Sequence, residues 1–145
     1  MPSINKSALV PYSAAQMYAL VNDVDSYSDF LPWCGSSELL SVGEDEVRAI
    51  IEIAHGSLRK SFTTRNRLQK NKMIEMRLEK GPFKHLEGFW RFDELDESAC
   101  KVRLDLDFEF SSRLMGIAMG PIFSQIANSL VEAFVKRAEQ TYGKG

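Results

Sequence analysis

The side chains able to do chemistry in this sequence are few and scattered. The two histidines, His55 and His85, stand far apart at positions that read as strand ends, with no cysteine or carboxylate motif beside either. A metal site needs ligands at short, convergent spacings, so this pair does not suggest one. Cys34 could be a thiol nucleophile, but no histidine lies at a readable spacing from it, and it reads as a small residue packed under a loop. Asp105 and Asp107 are a pair only along the chain, because an alternating strand turns both toward solvent. Neither a phosphate-cradling glycine loop nor a serine-centred elbow occurs.

The unusual chemistry is apolar. "YSDFLPWCGSSEL", residues 27–39, sets Phe30, Leu31, Trp33 and Cys34 around Pro32, which fits neither a helix interior nor a central strand. Gly35, Ser36 and Ser37 read as a turn. Such a loop either folds back into the core or lines the mouth of a cavity, and Phe83 in "GPF" raises the same question. Phe62, Met76, Trp90 and Phe92 come from inward strand faces, and Ile122, Ile126 and Leu130 from a helix. Lys60, Thr64 and Asn66 share the inward face with Phe62. Buried polar groups without partners cost about 1–3 kcal/mol each, so they need a protein partner, a water or a ligand. The expected site is therefore an apolar cavity formed by these residues and Leu31, with Trp33 and Phe83 at its entrance and Thr64 or Asn66 as its polar contact.

The elements that must position these groups follow from periodicity. "SINKSALV" reads as a first strand. Ser13 is a plausible N-cap for a helix carrying Met17, Leu20 and Val21, and Asn22–Asp23 breaks it into a second short helix. From residue 38 to residue 110 the period is two: Val47, Ala49, Ile51 and Ile53 share a face, as do Ile74, Met76 and Leu78. Cys100, Val102, Leu104, Leu106, Phe108 and Phe110 oppose Lys101, Arg103, Asp105, Asp107 and Glu109. That is an antiparallel sheet with one wet face and one dry face. "QKN" fits a three-residue hairpin loop with Asn71 left-handed, a register that opposes Arg65 to Glu75. After Phe110, Leu114, Ala118, Ile122, Ile126, Leu130, Phe134, Ala138 and Tyr142 recur every four residues, with Ile117, Phe123, Val131 and Val135 widening the stripe, predicting a helix of roughly 30 residues that ends near Gly143. Pro121 should kink it. The predicted architecture is α+β: a curved antiparallel sheet wrapped around a long C-terminal helix, with two short helices after the first strand.

Bulk composition is that of an ordinary globular domain. The 145 residues are 44% hydrophobic and 26% charged with a net charge of −2, which suits a single domain over 1–145. Two cysteines suggest no disulfide framework. No signal-like segment and no run of about 18 apolar residues appears, so a cytoplasmic protein that spans no membrane is expected. One stretch departs from neutrality: "SLRKSFTTRNRLQKNKMI" carries Arg59, Lys60, Arg65, Arg67, Lys70 and Lys72 and no acid. It is a solvated face balanced by Glu75 and Glu79, or a contact surface for anionic lipid or RNA phosphates.

"DVDSYSDFLPWC", "FTTRN", "GPFKHLEGFWRF", "CKVRLDLDFEF" and "VEAFVKRAEQTY" resemble, in order and spacing, coenzyme Q-binding proteins of the START-like superfamily, a group that includes the ribosome association toxins. The resemblance implies a helix-grip fold and a tunnel for the prenyl tail of ubiquinone, with no catalytic residues and no cofactor besides that bound ligand. It also implies a possible ribosomal-subunit partner and peripheral contact with the inner membrane. A cyclase or dehydratase, as elsewhere in the superfamily, needs an acid or base inside the cavity, and the inward faces offer only Lys60.

Overall fold

A computed structural model describes residues 3–143. Seven strands form one antiparallel sheet in the order β1-β7-β6-β5-β4-β3-β2. They are β1 (Ser3–Val10), β2 (Cys34–Val42), β3 (Glu46–His55), β4 (Leu58–Gln69), β5 (Met73–Lys80), β6 (Phe83–Asp96) and β7 (Ala99–Phe110). Between β1 and β2 lie α1 (Ala14–Asn22), a single 3-10 turn (Val24–Ser26) and the short α2 (Tyr27–Phe30); α3 (Arg113–Tyr142) closes the chain.

Local chemistry explains the boundaries. Ser13 caps α1 by accepting from the Gln16 N–H, and the Gln16 side chain accepts from the Ser13 N–H in return. Ser112 caps α3 by accepting from Met115 N–H, and Gly143 ends the helix at a φ of 83°. Tight turns link the strands from β3 onward. Gly56, at φ 59°, serves β3–β4, and Asn71, at φ 63°, serves β4–β5.

The sheet faces alternate as the period-two reading predicts. Val47, Ala49, Ile53, Ile74, Trp90, Val102, Leu104 and Phe108 are buried, whereas Arg59, Arg65, Arg67 and Arg77 are exposed. Three expectations need correcting. Gly35–Ser37 is not a turn but part of β2, an edge strand whose two bulges, at Cys34/Ser36 and Leu39/Ser41, break the alternation. The β4–β5 loop is Lys70–Asn71–Lys72, one residue later than expected. Arg65 therefore faces Arg77, and Arg67 faces Glu75. The inward set survives, because the resulting slip is two positions.

The third correction concerns α3. Its buried side chains are Met119, Phe123, Ile126, Ala127, Val131, Phe134 and Ala138, while Leu114 and Ile117 are 77% and 68% exposed and Ala118 is exposed. Residues four apart advance about 40° per step around a 3.6-residue helix, so Leu114 and Ala118 leave the buried face, while Phe123 and Val131, read as widening the stripe, lie on it. By length and composition alone α3 is long and apolar enough to cross a membrane, and 28% of its most apolar 18 residues are buried. Here its buried residues pack on the sheet in two clusters. One joins α1, α2, Trp90 and Phe134; the other joins Phe83, Phe108, Met119 and Phe123.

Candidate functional site: an apolar cavity beneath the sheet

Between the inward sheet face and α3 lies a cavity of about 80 Å³. Phe62, Thr64 and Asn66 reach it from β4, Met76 from β5 and Trp90 from β6. Ile126 and Leu130 approach from α3, and Trp33 from the loop after α2. These are the sequence-predicted residues that the fold brings together.

Four others lie elsewhere. Phe83 is the first residue of β6, 5% exposed, and packs into a ring cluster with Phe62, Phe110 and Phe123 at centroid distances of 5.8, 4.9 and 5.0 Å. It is core and not an entrance. Phe92 packs edge-on against Tyr18 and parallel to Trp90, outside the cavity. Ile122 is half-buried one position off the lining, where Phe123 stands instead. Leu31 is buried at 2% exposure but lines an outer groove. The cavity set read from the sequence omitted Tyr27, Leu104, Phe123 and Phe134, although periodicity had already placed Leu104 on the dry sheet face and Phe123 and Phe134 on the apolar stripe of α3.

The cavity's polarity is concentrated at one point. Thr64 and Asn66 are 5% and 7% exposed, and the Thr64 hydroxyl donates to Asn66 Oδ1 at 2.9 Å. Both residues line the cavity, and an amide engaged through its oxygen keeps its N–H groups as donors for a cavity occupant. Tyr27 also lines the cavity, but its hydroxyl donates to the Val21 carbonyl, and burial pushes its pKa far above the ordinary tyrosine value. No Asp, Glu, Lys, Arg, His or Cys is in the lining; Lys60 is half-buried elsewhere. Among the described residues no cluster of three or more His, Cys, Asp or Glu side chains could hold a metal ion.

Cys34 and Cys100 are buried free thiols. Burial raises both, Cys100 to about 11 with Asp93 adding to the effect. Neither is expected to react with a disulfide reagent in the native protein at mildly alkaline pH, and both are expected to react once urea exposes them; a thiol titration reads this directly.

The basic stretch divides on the outer face. Arg59 pairs with Glu52 at 3.0 Å, and Arg65 lies 3.6 Å from Glu46 and 3.9 Å from Glu79. Arg48 makes a bidentate contact with Glu79, holding that carboxyl below the usual range. Arg67, Lys70 and Lys72 are exposed and have no carboxylate within 4.0 Å among the described residues.

A seven-stranded antiparallel sheet gripping a long C-terminal helix over an apolar cavity defines a START-like, helix-grip protein. The Zhui aromatase/cyclase of a Streptomyces species has this fold, with a TM-score of 0.82 at 19% identity over 96% of this chain and 94% of its own. The model of the "polyketide cyclase / dehydrase and lipid transport" family matches residues 10–135. The ribosome association toxin RatA of Pseudomonas aeruginosa is 49% identical over 140 residues, 97% of each chain. The mitochondrial coenzyme Q-binding protein COQ10 homolog B of Xenopus laevis is 28% identical over 97% of this chain and 59% of its own. This chain belongs to that family, in the group that ribosome association toxins and coenzyme Q-binding proteins share.

Proposed function

We propose that this protein is a ribosome association factor, binding a ribosomal subunit and blocking its union with the other. The observation that carries this reading is the 49% identity to a RatA protein along 97% of both chains. The supporting surface is the end of the sheet where Arg67, Lys70 and Lys72 are exposed and make no ion pair within 4.0 Å among the described residues, with Arg67 lying between Glu46 and Glu75 in the strand register. Cations so placed suit RNA phosphates, whose neutralisation releases counterions and makes binding fall with salt. Arg59 and Arg65, tied to glutamates, contribute little to it. A binding role is supported by a cavity lining that holds no Asp, Glu, Lys, Arg, His or Cys.

Sedimentation of lysates at several salt concentrations tests this. The wild type is expected in one subunit fraction at low salt, with joined ribosomes depleted. Arg67→Glu with Lys70→Glu and Lys72→Glu is expected to weaken that association at least ten-fold and to flatten its log–log salt dependence by roughly 2–3. Absence of the wild type from subunit fractions even at low salt would rule the reading out.

A second activity is supported by the Thr64–Asn66 pair and by the likeness to a coenzyme Q-binding protein. In this reading the cavity holds ubiquinone, and the protein carries or presents it for respiratory electron transport, touching the inner membrane peripherally. A prenyl tail in a bilayer is already in hydrocarbon, so burying it again gains almost nothing, and selectivity must come from the head group. A quinone carbonyl is an acceptor suited to the Asn66 amide N–H. Thr64→Val with Asn66→Leu is expected to cut the ubiquinone that co-purifies by at least ten-fold, measured by organic extraction and absorbance; unchanged co-purification would dismiss the head-group contact.

A further inference from the structure

The cavity is the wrong size for a tail. One enclosed water occupies about 10–15 Å³ on this measure, and small-molecule sites span about 300–1,000 Å³. A volume of about 80 Å³ is far below that range, room for a small group and not for a chain of isoprene units. On the other side of Trp33 lies a surface groove of about 450 Å³, floored by Phe30, Leu31 and Pro32 and walled by Ser129 and Ala133 of α3. Trp33 is half-buried and lines both spaces, so its indole is the partition between them. Its backbone is anchored, since the Trp33 carbonyl accepts from Ala54 N–H at 2.8 Å. Arg137 lies over the Phe30 ring at 4.8 Å, and Lys136, Glu132 and Asp29 complete a charged rim. The groove is thus apolar at its base and polar at its lip.

We propose that cavity and groove are the two halves of one site for a ring-headed amphiphile, the carbonyl-bearing ring inside against Asn66 and the apolar tail leaving past Trp33 into the groove. This rests on the ligand reading above and reverses the orientation expected of a tail tunnel. The joined space falls within the range of small-molecule sites. The deep donor selects a head with an acceptor, while the open groove sets no upper limit on tail length.

The test compares a ubiquinone carrying two isoprene units with the same quinone ring bearing no tail, both read by quenching of the fluorescence of Trp33 and Trp90, or of Trp90 alone in Trp33→Ala. Ser129→Phe places a ring on the exposed groove wall, where it need not disturb the core. It is expected to weaken the tailed quinone at least five-fold and to leave the tailless one within two-fold. Trp33→Ala is expected to speed association of the tailed quinone at least five-fold in stopped flow. If the wild type binds neither quinone, the ligand reading itself fails. If it binds both and neither variant separates tailed from tailless or changes the association rate, the head-in, tail-out arrangement is overturned while the ligand reading stands.

Discussion

Phe134→Ala is expected to destabilise the protein by about 3–5 kcal/mol, the range for emptying a buried phenylalanine site. Phe134 is 1% exposed and meets Tyr27, Phe30 and Trp90 at centroid distances of 5.4, 5.3 and 5.3 Å. It joins α3 to the α2 segment and to the middle of the sheet. Tyr27 and Trp90 are pinned from elsewhere, by a hydrogen bond to Val21 and by strand pairing with Ile74 and Leu104, so they cannot collapse into the gap. The urea midpoint should fall with little change in slope, and the melting temperature should drop by roughly 10–20 °C. The new void would adjoin the cavity, so a variant that still folds should also admit larger ligands.

Gly88→Ala is expected to be comparably damaging although it adds one carbon. Gly88 lies in β6 between Met76 of β5 and Leu106 of β7. A Cβ at this position would stand 2.3 Å from the Asp105 carbonyl oxygen and 3.0 Å from the Leu106 Cα. Both are backbone, so no side chain can rotate away and β6 must part from β7. Overpacking typically costs 1–3 kcal/mol, and a clash with backbone in a central ladder belongs at or above the top of that range, about 3 kcal/mol. Amide exchange in β6 and β7 should rise before global unfolding; a variant with wild-type exchange and melting would refute the account.

The sheet was legible because its strands alternate without interruption: Cys100 to Phe110 declares its dry face at every second residue, and the structure buries that face. Strand β2 was hidden because its bulges put successive residues out of phase and its edge position leaves most of them exposed on both faces. In α3 the apolar residues are too numerous for periodicity to choose among phases, and only packing against the sheet selects Met119 over Leu114, Ile117 and Ala118. The site followed the same division. Thr64, Asn66, Phe62, Met76 and Trp90 were found because strand parity dictates where they point. Phe83 was misplaced because adjacency to a proline says that a backbone turns, not which way the next side chain faces; Phe83 opens β6 and points inward. The cavity's small volume was not readable at all, since it depends on how rings from four elements interlock.

The pairing of β1 with β7 has a consequence for how the chain is made. Ser3 lies opposite Asp107, and Val10 opposite Cys100, so the first strand finds its neighbour only after about a hundred further residues exist. At synthesis rates of roughly 5–20 residues per second, the nascent N-terminus waits on the order of 5–20 s with its edge unpaired. The hairpins from β2 to β7 can zip in succession as they emerge, and closure by β1 must come late, as distant contacts slow folding generally. Trimming β1 should therefore leave a chain that begins to fold on schedule and fails at the final step.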